Sequence, residues 1–435
     1  MKILNYCLAL FALSAITLTS CKDDPDPILA PTIASIEAVG TSFADGSAVT
    51  KDLNGASSAA DVALNSVITI TLDKAVDGTT VNVSNVAISN ADGDVASTVT
   101  SSGSAITITP SEEMVRGTSH TLTLSNIKSS DGGTMSTVSR TFVTEGRAPV
   151  IVPKADDQLA YYNFDGTTDD ILGNYNPDNV VGIEMGTDRF GQGNSTASFD
   201  GDVSIIEIPD ADQMMTYNDF TLSFWMKTNT EGHIDAGGNP ASHFVMGLGA
   251  FFGFQFEIPA DFGSCKLAMS YKLENDDVTG EDLWFNGSGE DKDNGGWQGW
   301  DFVANLGEGG VAEILKDKWV HVVCSYNSTT KQGRMYFNGQ LMKSQDFNLW
   351  PDCDVAGACK QATTGVVYRG NESDVEPILA LGFIKSIDSP MWASEPWGDY
   401  NTPTSNHFKG DLDDIRIFKA PFSAEDVETL YNSEK

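Results

Sequence analysis

Residues 219–228 read DFTLSFWMKT and residues 319–341 read WVHVVCSYNSTTKQGRMYFNGQL. In the first stretch Phe220, Leu222, Phe224 and Met226 alternate with Thr221, Ser223, Trp225 and Lys227. That period of two places one face on a core and the other toward solvent, as in a half-buried strand. The second stretch holds two such runs, 319–326 and 333–338, separated by a polar turn, and reads as a hairpin. Further strands are expected at 197–199, 205–208 and 413–418. The one helical signal is at the C-terminus: Ser423 caps, Asp426 takes the third helical position, Phe422 staples onto Val427, and Val427, Leu430 and Tyr431 form one apolar stripe.

Upstream, residues 32–146 are rich in Ser, Thr, Ala and Val and contain no Trp, Tyr or Cys. Short alternating runs at 67–72, 106–109 and 120–124 are separated by turn clusters such as 90–94 and 129–133, a pattern for a compact antiparallel sandwich. Residues 147–155 read as a linker, beyond which composition shifts: all 8 Trp, and every Tyr except Tyr6, lie downstream. The fold class expected is all-β, a first sandwich over 32–146 followed by a larger one over 156–435. The length of 435 residues suits two or three domains, and 40% hydrophobic residues supply ample core. With 61 Asp+Glu against 26 Lys+Arg the net charge is −35, which makes nucleic acid a poor partner.

The N-terminus carries an address. Met1-Lys2 precedes an apolar run that ends in Leu18-Thr19-Ser20-Cys21, followed by Lys22-Asp23-Asp24. The run is too short for a membrane span and reads as a signal peptide over 1–20. Small residues before a cysteine resemble the bacterial lipobox, which implies that Cys21 is lipidated and that 21–31 is a tether. The acidic stretch after Cys21 resembles the export signal of surface-exposed lipoproteins in Bacteroidetes. The expected location is the outer membrane, cell-surface exposed, with the membrane touched through the lipid anchor alone.

The first sandwich resembles bacterial Ig-like modules in ITITLDKAVDGTTV (68–81), ITITPSEEMVRGTSHTLTLSNIKSSDGG (106–133) and RTFVT (140–144). Such modules usually act as spacers. The second resembles laminin-G-like (LamG) domains with a concanavalin A-type jelly roll. LAYYNFDGTTDDILGN (159–174), DRFGQGNSTASFDGD (188–202), the two stretches quoted first, and FKGDLDDIRIFKAPFSAEDVETLYN (408–432) occur in that family's order. Three long segments near 229–243, 271–316 and 345–408 depart from the pattern. The resemblance further implies a structural calcium held by Asp165 with Asp413 or Asp414, against the alternative of solvated turn aspartates.

Six Trp fall in segments read as irregular: Trp284, Trp297, Trp300, Trp350, Trp392 and Trp397. Flat rings beside amides and carboxylates suit a sugar, the ring covering a pyranose face while polar groups take its hydroxyls. Trp297 and Trp300, flanked by glycines, are the leading pair, with Trp284, Trp392 and Trp397 as further candidates. Equally, long loops use Trp to build small cores beneath themselves. Once Cys7 is removed and Cys21 acylated, four cysteines remain. Cys353 and Cys359, six residues apart with a glycine between, favour a local disulfide, while Cys265 and Cys324 either bridge two strands or are small buried hydrophobes.

The strand motif Glu-x-Asp-x-x-Glu of glycan-cleaving jelly rolls is missing, as is a Gly-x-Ser-x-Gly elbow. Acidic pairs such as Glu281-Asp282 sit in an apparent loop, and His321 reads as packing. The expectation is a surface protein that binds a glycan without cutting it. An adhesin or assembly subunit contacting neighbouring surface proteins is the alternative, and an enzyme with acids in the insertions is the third reading.

Overall fold

The computed structural model describes residues 28–435 except 44–45, 56, 236, 351–358, 371–374 and 403–404. The signal segment, Cys21, most of the tether and Cys353 therefore lie outside the described residues. Among the described residues no helix is long and apolar enough to cross a membrane. The chain divides into two compact units after Pro149.

The first unit is a sandwich of two five-stranded sheets. Its isoleucine–threonine runs set the register: Ile68 faces Ile108 and Ile70 faces Ile106 between Val67–Leu72 and Ala105–Pro110. These four isoleucines are fully buried, with Leu122, Leu124 and Phe142 contributed by the other sheet. The intervening threonines remain half-exposed, as the period of two dictates.

The second unit is a jelly-roll sandwich of a nine-stranded and an eight-stranded sheet. In the nine-stranded sheet Phe220–Thr228 lies between Trp319–Asn327 and Lys409–Phe418. The eight-stranded sheet runs Asn179–Val181, Ile205–Ile208, Leu379–Leu381, His243–Leu248, Phe254–Ile258, Cys265–Leu273 and Val278–Phe285, and Thr363–Val366 also pairs with Cys265–Leu273. One large core fills the space between the sheets.

Several expectations are corrected here. Phe220–Thr228 is buried on both faces except for Lys227. The reason is the C-terminal helix, Ala424–Glu434, which begins with the expected Ser423–Asp426 capping box and covers the outer face. Trp225 stacks on His321 and Tyr431 and donates its indole N–H to Glu434 at 2.9 Å. The two longer insertions are not irregular: they contain Val278–Phe285, Trp300–Val303, Thr363–Val366 and Leu379–Leu381, so Trp284 and Trp300 stand on strands. Glycine, acidic residues and weak alternation hide Val278–Phe285, an edge strand with one face in water. Cys265 and Cys324 are free thiols in the core, whereas Cys359 is disulfide-bonded.

Candidate functional site

The outer face of the eight-stranded sheet is covered over half its width and open over the other half. A small second core, with Phe244, Phe383, Ile384, Met391 and Tyr400, covers the first half. Trp392 and Trp397 pack there, 5.0 Å apart between ring centroids, with Trp397 also against Phe244. These two candidates thus serve a loop core, although Trp397 keeps 44% of its surface exposed.

On the open half, register builds a row of functional groups across three strands. Glu257 faces Lys266, and Lys266 faces Trp284 on its other side. Their neighbours along each strand, Phe256, Leu267 and Leu283, enter the main core, so alternation turns the row toward solvent. Lys266 Nζ lies 3.3 Å from Glu257 Oε1 and 3.1 Å from Asp282 Oδ2. Burial alone would lower its pKa, but the two carboxylates outweigh it and hold the ammonium above its ordinary value.

The loop entering Trp300–Val303 brings the remaining rings. Backbone N–H groups of Asn294 and Gly296 both bond the Asp291 carbonyl, and Trp300 N–H bonds the Trp297 carbonyl at 3.0 Å. Gly296 is required because a Cβ there would meet the Trp300 ring at 2.7 Å, and Gly299, at φ +86°, because a Cβ would run into Trp350. The glycines thus let the loop pack closely on the Trp300 and Trp350 rings.

Trp284, Trp297 and Trp300 line one cavity of about 450 Å³ together with Glu257, Pro259, Ser264, Cys265, Lys266, Glu281 and Asp282. Trp297 is 62% exposed and Trp284 36%, whereas Trp300 is only 8% exposed and lies 5.6 Å from Trp284, tilted by 38°. Three of the five candidate rings therefore converge, with Trp300 as the buried support. Sequence reading missed Glu257 and Lys266. The alternation of FQFEI at 254–258 and CKLAMSYKL at 265–273 was the available signal, but it names no face until the strands are paired.

The calcium expectation does not fit these residues. Asp165 sits in an exposed turn, accepting from the Asn163 amide at 3.1 Å. Asp413 and Asp414 are buried against a cation the protein supplies itself: the Arg189 guanidinium reaches Asp413 Oδ2 at 2.6 Å and Asp414 Oδ2 at 2.7 Å. A bulge opposite Ser223–Trp225 puts Asp414 at φ +46° and presents both carboxylates to the arginine. Among the described residues no group of three or more His, Cys, Asp or Glu side chains is placed to hold a metal.

Comparison with known proteins agrees with the two units. Residues 49–144 match the bacterial Ig-like domain model, and residues 200–374 match the model of the concanavalin A-like lectin/glucanases superfamily. The chain therefore carries a bacterial Ig-like domain followed by a concanavalin A-like domain. No curated protein matches it. Among solved structures, it is similar to the botulinum neurotoxin serotype D ligand binding domain in complex with N-acetylneuraminic acid (15% identity, TM-score 0.39, covering 64% of this chain and 51% of that one). It is also similar to the botulinum neurotoxin type G receptor binding domain (12% identity, TM-score 0.36, covering 63% and 51%). The chain spans about half the length of these structures.

Proposed function

We propose that the protein is a lipid-anchored, cell-surface protein whose concanavalin A-like domain binds a glycan without cleaving it, the Ig-like domain acting as spacer. One observation carries the reading: Trp284, Trp297 and Trp300 converge on a single solvent-open cavity whose rim holds Glu257, Lys266 and Asp282. Exposed indoles are costly in water unless a ligand covers them, and a pyranose offers a matching C–H face with hydroxyls for the carboxylates. The acids of the cavity are engaged in ion pairs. Glu257 and Asp282 share one lysine, Lys266. Glu281 pairs with Lys360.

The test is a polysaccharide panel presented to the full chain, with binding and new reducing ends measured together. Binding without new ends, lost in Trp297→Ala, is the expected result. Released oligosaccharide would replace this reading with an enzyme, and silence across the panel would replace it with a protein partner.

A further inference from the structure

The tryptophan cavity does not end at Asp282. A second cavity of about 360 Å³ shares Glu281 and Asp282 with it and continues along the sheet to Phe251, Ala268, Met269, Gly280 and Arg369. The two form one groove, with indoles at one end and an arginine at the other.

Arg369 is distinctive among the groove's charged groups. Asp282 and Glu257 both pair with the one Lys266, and Glu281 pairs with Lys360. Among the described residues the Arg369 guanidinium has no carboxylate partner, and its Nε is buried without a hydrogen bond. It is nevertheless held in place. Its backbone N–H bonds the Phe252 carbonyl at 2.9 Å, and the guanidinium carbon lies 5.2 Å and 4.9 Å from the Phe251 and Phe252 ring centroids. An arginine fixed against two rings has already lost much of its side-chain freedom, so a ligand that pairs with it gains the charge-assisted bonds at little further cost.

We infer that Arg369 forms an anion-taking subsite, so that the groove selects a glycan with an acidic substituent, a carboxylate or sulfate, one or a few residues along from the sugar that stacks on the tryptophans. This inference rests on the glycan reading above and names its substrate class. The net charge of −35 opposes a densely charged polyanion. It does not oppose a single charge placed within a Debye length of about 8 Å of a guanidinium that has no carboxylate partner among the described residues, while Lys266 offsets part of the charge of Glu257 and Asp282 and Lys360 offsets that of Glu281. The ligand class is thus a mainly neutral chain with occasional acidic branches or residues.

The experiment measures calorimetric affinity of the full chain for three versions of each oligosaccharide in a panel: uronate-bearing, carboxyl-reduced and so neutral, and carboxyl-reduced with one added sulfate. The expected result is roughly tenfold tighter binding of an anionic member than of its neutral counterpart, the yield of one charge-assisted contact. Arg369→Gln removes that ratio while binding of the neutral member persists, and a cooperative melt shows the variant folded. Whichever anion shows the preference identifies carboxylate or sulfate. Equal affinity for charged and neutral members, lost in Trp297→Ala, overturns the Arg369 subsite and leaves glycan binding standing. A preference for the anion that survives Arg369→Gln also overturns it. No binding by any member removes both readings.

Discussion

Lys343 Nζ stands 3.3 Å from the centroid of the Trp300 ring, fully buried and without a hydrogen-bond partner among the described residues. Burial pushes its pKa down to about 6. The amine is therefore neutral in the folded protein near pH 7 and protonated in the unfolded chain up to its ordinary pKa near 10.5. Between those limits the unfolded state binds the extra proton, so stability rises with pH by up to about 1.4 kcal/mol per unit from this group alone. Lys343→Met is expected to raise stability at pH 7 and to flatten that slope. Urea melts of both proteins at pH 6, 8 and 10 check it, and parallel slopes refute the placement.

The indoles of the cavity separate by burial. Trp297, 62% exposed, is expected to lose glycan affinity on change to Ala while unfolding within about 0.5 kcal/mol of the parent. Trp300, 8% exposed and inside the main core, is expected to lose about 3–5 kcal/mol of stability as well. Denaturation paired with binding on both variants reads the difference, and a destabilised Trp297→Ala would contradict the exposed platform.

Arg189 holds Asp413 and Asp414, so its replacement removes a buried cation that both carboxylates face, while Asp414 keeps its bond from the Tyr161 hydroxyl at 2.7 Å. Arg189→Met is expected to cost about 3–5 kcal/mol, the usual penalty for breaking a buried pair from one side. Chelator is expected to leave the parent's melting temperature unchanged, since the arginine occupies the place assigned to calcium. A drop on chelation, restored by added calcium, would return the metal to this site.

Three histidines set the acid limit. Burial drives His243 and His321 down to about 3 and His407 down to about 4. From pH 6.5 down to about 4 the unfolded chain takes up protons that the folded chain refuses, so stability falls as pH falls through that window. His321 accepts or donates one hydrogen bond, 2.8 Å from Ser223 Oγ, and stacks on Trp225. Melting profiles between pH 7 and 4 are expected to decline, and a flat profile would show the rings to be hydrated.

The all-β class, the composition change that separates the two units, the Ser423 cap and the Ile–Thr alternation of the first sandwich are legible in the sequence, because each rests on composition, local periodicity or a neighbour three or four residues away. The candidate rings were legible only as a set. Which of them meet was decided by strand pairing: Val278–Phe285 and Trp300–Val303 bring Trp284 and Trp300 together, while Trp392 and Trp397 are consumed by a second core. Glu257 and Lys266 became neighbours of Trp284 through register across three strands, a relation without a sequence signature. The fate of Asp413 and Asp414 likewise depended on Arg189, more than 220 residues away, and on a bulge that local pattern does not encode. Sequence by itself determined the strands with strong alternation and the C-terminal helix, since those are fixed by forces acting within a few residues, while edge strands such as Val278–Phe285 emerged only in the fold. Tertiary structure alone decided which charges are spent on one another, as Arg189 is on Asp413 and Asp414, and which, like Arg369, have no carboxylate partner among the described residues, since electrostatic pairing acts across contacts that only the folded chain creates.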